Sequence, residues 1–130
     1  MKKFLIFSAL PLALAALPLQ ANAADLNAEI VTAATHADLA AQSGDVGMVH
    51  THLHHTLNCL VGPNGTDFDA KEINPCANSG NGAIPDTTDA AKQKSLEAAA
   101  GKAREGIAAN NLTASQKLAA DTAAMLKAIK

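Results

Sequence analysis

The segment Val46–Val61, VGMVHTHLHHTLNCLV, combines an apolar helical stripe with four of the five histidines of the chain. Its large apolar side chains recur three or four positions apart, the spacing that places side chains on one face of an α-helix. They are Val46, Val49, Leu53, Leu57 and Leu60. Asp45 can cap the start of this helix, and Gly62 with Pro63 can end it. The sequence therefore predicts a helix over 46–61, with its apolar stripe facing a core.

Three further segments show helical periodicity. The first covers 26–42, after Asp25 as a capping residue, and the third covers about 88–109. The fourth begins at the capping-box pattern of 113–116 and continues to the end of the chain. The stripes are narrow, and the segments other than the second are rich in alanine, which lets helices approach closely. We predict an all-α fold, an antiparallel four-helix bundle.

A long loop interrupts this pattern between the second and third helices. It covers 62–86 and is rich in Gly, Pro, Asn and Asp, which favour turns. Loops of this length are unusual in small domains. Cys59 in the second helix and Cys76 in the loop are the only two cysteines. We predict that they form a disulfide, which would pin the loop and stabilise the fold by about 3 kcal/mol.

The N-terminal residues 1–23 have the features of an export signal. Two lysines precede an apolar run, and Ala21 and Ala23 provide the small side chains of an A-x-A cleavage site. The run is short for a membrane anchor and contains two prolines. We predict cleavage after Ala23 and a single helical domain over 24–130 in the periplasm or outside the cell, where disulfides persist. No membrane association is expected after cleavage.

Composition argues against two classes of function. The formal net charge is −2 and only 2% of the residues are aromatic, so the chain lacks the basic and stacking side chains used to bind nucleic acids. No arrangement of Ser, His and Asp, or of Cys and His, places a nucleophile for catalysis. We expect a binding protein rather than an enzyme.

The histidines predict a metal site between the first two helices. His50 and His54 are four residues apart, so their rings lie on one helix face and can reach a common ion. If the chain folds back about Gly44, His36 lies level with residue 52, between those two rings. We predict that His36, His50 and His54 bind copper or zinc. The alternative is that the three rings are half-buried and hydrogen-bonded to carbonyl groups or water.

A second stripe of potential ligands is the weaker candidate. It contains Met48, His52, His55 and Cys59. A free thiolate, a thioether and imidazoles would together favour copper. The predicted disulfide removes the thiolate, however, so we expect this stripe to lie under the loop, with His52 and His55 hydrogen-bonded to loop carbonyl groups.

Three functions remain open from the sequence. The first is an exported protein that binds, buffers or carries copper or zinc. The second is a protein that binds haem b, with His36 and either His50 or His54 as axial ligands, although few aromatic residues are available to line a porphyrin pocket. The third is a structural or protein-binding helical module whose histidines respond to acid.

Overall fold

The computed structural model describes residues 23–129, which contain five helices and no strand. The helices are α1 (Leu26–Gln42), α2 (Val46–Val61), α3 (Ala83–Asp86), α4 (Ala90–Ala108) and α5 (Leu112–Lys127). The prediction of an all-helical fold is confirmed, and the arrangement is compatible with a helical bundle. α1 packs against α2 and α5, and α4 also packs against α2 and α5.

Side-chain caps set the helix starts. Asp25, Asp45, Asp89 and Asn111 precede α1, α2, α4 and α5, and each accepts a hydrogen bond from a backbone N–H group of the first turn. The bounds of α1 and α2 agree with the predicted ones. The third predicted helix begins two residues later than expected, because Asp89 acts as its cap and accepts from the N–H groups of Ala91 and Lys92.

The core is built from leucines of α2, α4 and α5 and from many alanines. Because alanine side chains are small, they allow the helix backbones to come close together. The buried apolar residues of the main cluster are Ile30, Ala33, Ala34, Ala40, Val49, Leu53, Leu57, Cys59, Leu60, Cys76, Ala83, Leu96, Ala99, Ala100, Ala103, Ala119 and Leu126. The apolar stripe predicted for α2 thus faces the core, except that Val46 is only partly buried.

The predicted loop differs from expectation at its end, where the last four residues, 83–86, form the short helix α3. Gly62 and Gly82 both have positive φ, of 67° and 113°. A Cβ atom at Gly62 would lie 1.5 Å from the carbonyl oxygen of Asn81. The two ends of the loop therefore meet at a contact that only glycine permits.

Two neighbouring residues of α2 fix the middle of the loop. Cys59 and Cys76 form the predicted disulfide, which is almost completely buried. Asn58, also fully buried, donates from Nδ2 to the carbonyl groups of Asp69 and Ile73, each at 3.0 Å. Its Oδ1 accepts from the N–H group of Asp69 at 2.9 Å. This long segment is consequently held against α2 at several points.

The predicted export signal falls on residues 1–23, and 1–22 lie outside the described residues. Among the helices described, none has the length and apolar character needed to cross a membrane. The disulfide fits a location outside the reducing cytosol.

Candidate metal centre

Three histidine rings meet between α1 and α2. His36 comes from α1, and His52 and His55 come from α2. One ring nitrogen of each lies within 4.8 Å of those of the other two. The Nδ1 atoms of His36 and His52 are 3.3 Å apart. The ring centroids are separated by 5.0 to 5.6 Å, so all three rings are in mutual contact. We call these three residues the histidine cluster.

The pairing of the two helices explains this contact. Thr56 donates from its hydroxyl group to the carbonyl oxygen of Ala33 at 3.2 Å, and His52 contacts His36 one helical turn away. Going forward along α1 from Ala33 to His36 thus corresponds to going back along α2 from Thr56 to His52, as expected for a helical hairpin. His55 follows His52 by three positions, so both rings lie on the face of α2 that contacts α1.

Burial and neighbouring rings favour the neutral form of two members of the cluster, His36 and His55. Burial lowers the pKa of His36 to about 4, helped by the nearby rings of His55 and His52. Burial also lowers the pKa of His55, as does His52, and Glu72 partly opposes this shift. Both imidazoles are therefore neutral near pH 7, and each has a lone pair on one ring nitrogen. Neutral imidazole is the form that binds metal ions.

The two nitrogens of His55 have different surroundings. Nε2 lies 3.3 Å from Oε2 of Glu72, a residue of the loop. Nδ1 is buried and has no hydrogen-bond partner. His55 is 7% exposed, whereas His36 and His52 are only partly buried. The cluster therefore combines one enclosed ring with two that solvent can reach.

The structure does not bring His50 and His54 to His36, and this corrects the predicted grouping. Nε2 of His50 lies 3.0 Å from the carbonyl oxygen of Ala109, where it can donate a hydrogen bond, and 3.3 Å from the hydroxyl group of Ser115. The ring of His54 faces the loop, with Nδ1 at 3.6 Å from the carboxylate of Asp69. Only His36 of the three predicted ligands belongs to the cluster.

The prediction placed residue 36 at the correct level of α2 but on the wrong side. Spacing gives the level, since His36 does contact residue 52. The side depends on how neighbouring helices cover α2. The side of α2 that carries His50 contacts the turn between α4 and α5, and the side that carries His52 contacts α1. In the sequence, Thr56, one turn beyond His52, is the one residue that we find to indicate the contact between this second side and α1. A single threonine would not have been enough to identify that contact.

The weaker candidate stripe divides into three parts. His52 and His55 join the cluster, and Cys59 is in the disulfide. Met48 is 45% exposed and is not a member of the cluster. His55 does lie under the loop, but it faces the Glu72 carboxylate instead of a carbonyl group, and His52 faces His36.

The cluster fits a tetrahedral metal ion better than it fits haem. With Zn–N bonds of about 2.0 to 2.1 Å, the ligand nitrogens of a tetrahedral site lie about 3.3 to 3.4 Å apart. The Nδ1 atoms of His36 and His52 already have a separation of 3.3 Å. Rings that touch each other leave no space for a porphyrin between them, and none of three surface cavities of about 280 to 480 Å³ has a histidine in its lining.

Comparison with protein-family models, with curated proteins and with solved structures gives no significant match to this chain. The functional interpretation therefore depends on the geometry and chemistry of the cluster.

Proposed function

We propose that this protein is an exported metal-binding protein that holds one Zn(II) or Cu(II) ion with His36, His52 and His55. The observation that carries the proposal is the convergence of three ring nitrogens within 4.8 Å, two of them at 3.3 Å. An ion bound there would complete its coordination with water or an external ligand. We assign buffering or carriage of the ion as the role of this site.

The donor set supports a divalent ion of intermediate softness. Imidazole nitrogen suits Zn(II) and Cu(II), whereas Cu(I) prefers thiolate and thioether ligands. Both cysteines are consumed by the disulfide, which leaves no thiolate for Cu(I). Among divalent ions, Cu(II) binds nitrogen sites more tightly than Zn(II) does, so we expect the higher affinity for Cu(II).

Access and charge also support binding. The partly exposed rings of His36 and His52 provide a route for an ion from solvent. Because His36 has a pKa of about 4, binding near pH 7 does not require this ring to lose a proton. The separations of up to 4.8 Å must shorten by about 1.5 Å, which side-chain rotation can supply.

The test is a titration of the untagged, metal-free protein with Zn(II) and with Cu(II), in which calorimetry measures the binding. We expect about one equivalent to bind. His52→Ala should weaken binding at least tenfold, while the matched variants His50→Ala and His54→Ala should stay close to wild type, because their rings lie outside the cluster.

Two results would contradict the proposal. If wild type takes up neither ion, metal binding fails. If His50→Ala and His54→Ala abolish uptake while His52→Ala preserves it, the ligands are those of the sequence-based grouping. Export is tested separately: the mature protein recovered from its native host should begin at Ala24.

A further inference from the structure

We infer that Glu72 is a positioning residue of the histidine cluster: it accepts a hydrogen bond from Nε2–H of His55 and so directs the Nδ1 lone pair of that ring toward an ion. This inference rests on the proposed function. It also assigns a purpose to the long loop, which would deliver one carboxylate to the metal site.

The surroundings of His55 carry the first step. A neutral imidazole has one N–H donor and one lone pair. Nε2 lies 3.3 Å from the Glu72 carboxylate, which can only accept, so the proton belongs on Nε2. The lone pair is then on Nδ1, which is buried and has no hydrogen-bond partner. Leaving such a nitrogen unsatisfied is costly, and a bound ion would satisfy it.

The attachment of the loop carries the second step. Asn58 and Cys59 follow His55 by three and four positions, so all three lie on one face of α2. Asn58 donates to the carbonyl groups of the consecutive residues Glu72 and Ile73, at 3.4 and 3.0 Å. The Cys59–Cys76 disulfide fixes the chain four residues further on. The backbone that carries Glu72 is thus held in place directly beside His55.

Known metal sites follow the same chemistry. A histidine ligand commonly donates its second N–H group to a carboxylate, which fixes the tautomer and makes the ligating nitrogen more basic. Removing such a partner typically weakens metal binding by about 10- to 100-fold.

The loop also offers a matched control. Asp69 is another loop carboxylate that faces a histidine of α2, and its side chain is 31% exposed, the same value as for Glu72. Its histidine partner is His54, which lies outside the cluster, and its Oδ1 also accepts from the N–H group of Lys71. Any effect of removing loop charge in general should therefore appear in Asp69→Asn as well.

The experiment compares wild type, Glu72→Ala, Glu72→Gln and Asp69→Asn. Zn(II) dissociation constants are measured by competition with a chromophoric chelator. We expect Glu72→Ala to weaken binding about 10- to 100-fold, Glu72→Gln to lie between it and wild type because its amide oxygen still accepts, and Asp69→Asn to stay within about twofold. Circular dichroism shows whether each variant is folded, and Glu72→Gln provides the answer if Glu72→Ala is not.

A second measurement detects positioning directly. Nitrogen chemical shifts of His55 in the metal-free protein should show the Nε2–H tautomer in wild type and a mixture of tautomers in Glu72→Ala. Equal affinity of wild type and both Glu72 variants, or the Nδ1–H tautomer in wild type, would overturn the inference while leaving metal binding intact. Absence of Zn(II) binding by wild type would instead refute the proposed function, and this inference with it.

Discussion

Replacing Asn58 with alanine should destabilise the metal-free protein by about 3 kcal/mol. The side chain is fully buried, and its two amide protons point at the carbonyl groups of Asp69, Glu72 and Ile73. Its oxygen accepts from the N–H group of Asp69. Two donors and one acceptor amount to three bonds, and each buried hydrogen bond contributes about 1 kcal/mol net. Alanine would leave the loop groups without these partners.

Asn58→Asp separates hydrogen bonding from packing. Aspartate has nearly the same shape, and one of its oxygens can still accept from the backbone of Asp69. The other oxygen, however, would face carbonyl oxygens that need a donor. We therefore expect Asn58→Asp to lose at least as much stability as Asn58→Ala, although it fills the same space. Asn64→Ala, at an exposed loop position, should change stability by less than about 0.5 kcal/mol.

These differences are measured by urea unfolding with the disulfide intact, monitored by far-ultraviolet circular dichroism. The shift of the urea midpoint gives the change in the free energy of unfolding, provided that the slope with urea concentration is the same in each variant. A loss below about 1 kcal/mol for Asn58→Ala would show that the loop is not held by this side chain. An aspartate variant more stable than the alanine variant would show that packing, and not hydrogen bonding, sets the effect. Either result would also remove the support that Asn58 gives to the placement of Glu72.

Three further predictions concern single positions. Outside the helix backbone, the nearest neighbour of a Cβ atom at Gly101 would be the Arg104 guanidinium at 3.6 Å, whereas a Cβ atom at Gly106 would lie 2.6 Å from Cδ1 of the fully buried Leu53. Thermal unfolding should show Gly101→Ala more stable by about 0.5 to 1 kcal/mol and Gly106→Ala less stable by about 1 kcal/mol, since overpacking exceeds the gain in helix propensity. Burial lowers the pKa of His36 from 6.5 to about 4, so the unfolded chain is protonated before the folded one, and the free energy of unfolding should fall as the pH is lowered through that interval. In urea unfolding, the loss of stability between pH 7 and pH 4 should be smaller for His36→Gln than for wild type by about 1 kcal/mol, a figure reduced for solvent screening of a partly exposed ring. Burial is the main cause that raises the pKa of Glu29, so its charged form opposes folding; Glu29→Gln should raise the melting temperature at pH 7, and the difference from wild type should shrink as the pH falls toward 4.5.

The helices could be predicted from the sequence because their determinants are local. Asp25 and Asp45 act on N–H groups only three positions ahead, and the apolar period of α2 repeats within the same segment. The fourth helix begins at Leu112 with Asn111 as its cap, and not at the predicted capping box of 113–116. The disulfide followed from the presence of exactly two cysteines. None of these inferences required knowledge of how one helix packs against another.

The histidine cluster could be predicted only in part because its membership depends on that packing. A helical wheel places residues 50 and 54 at the edge of the apolar stripe and 52 and 55 on another stripe, roughly opposite, so the first pair was expected to face α1. Which of them contacts α1 is decided by where α4 and α5 pack, through contacts such as that of His50 with Ala109. Glu72 was likewise not identifiable as a partner of His55, because a loop of this length has many possible paths.

Several polar side chains of α2 bind backbone groups of neighbouring segments. This helix contains no Asp, Glu, Lys or Arg. Thr56 donates to the carbonyl oxygen of Ala33, Asn58 binds the loop backbone, and His50 lies at the carbonyl oxygen of Ala109. Each therefore satisfies a backbone group of a neighbouring segment, as buried polar groups do when their role is to join elements.

The histidine cluster follows a different pattern. The nearest polar partner of His36 is another imidazole, that of His52, and Nδ1 of His55 has no partner. Bringing neutral rings together in this way joins no backbone group, and a single shared proton can satisfy only one pair of nitrogens. A divalent ion with three nitrogen ligands would satisfy all of them at once. Thr56, Asn58 and His50 thus have backbone partners in the fold, whereas a bound ion is the partner that we propose for the cluster.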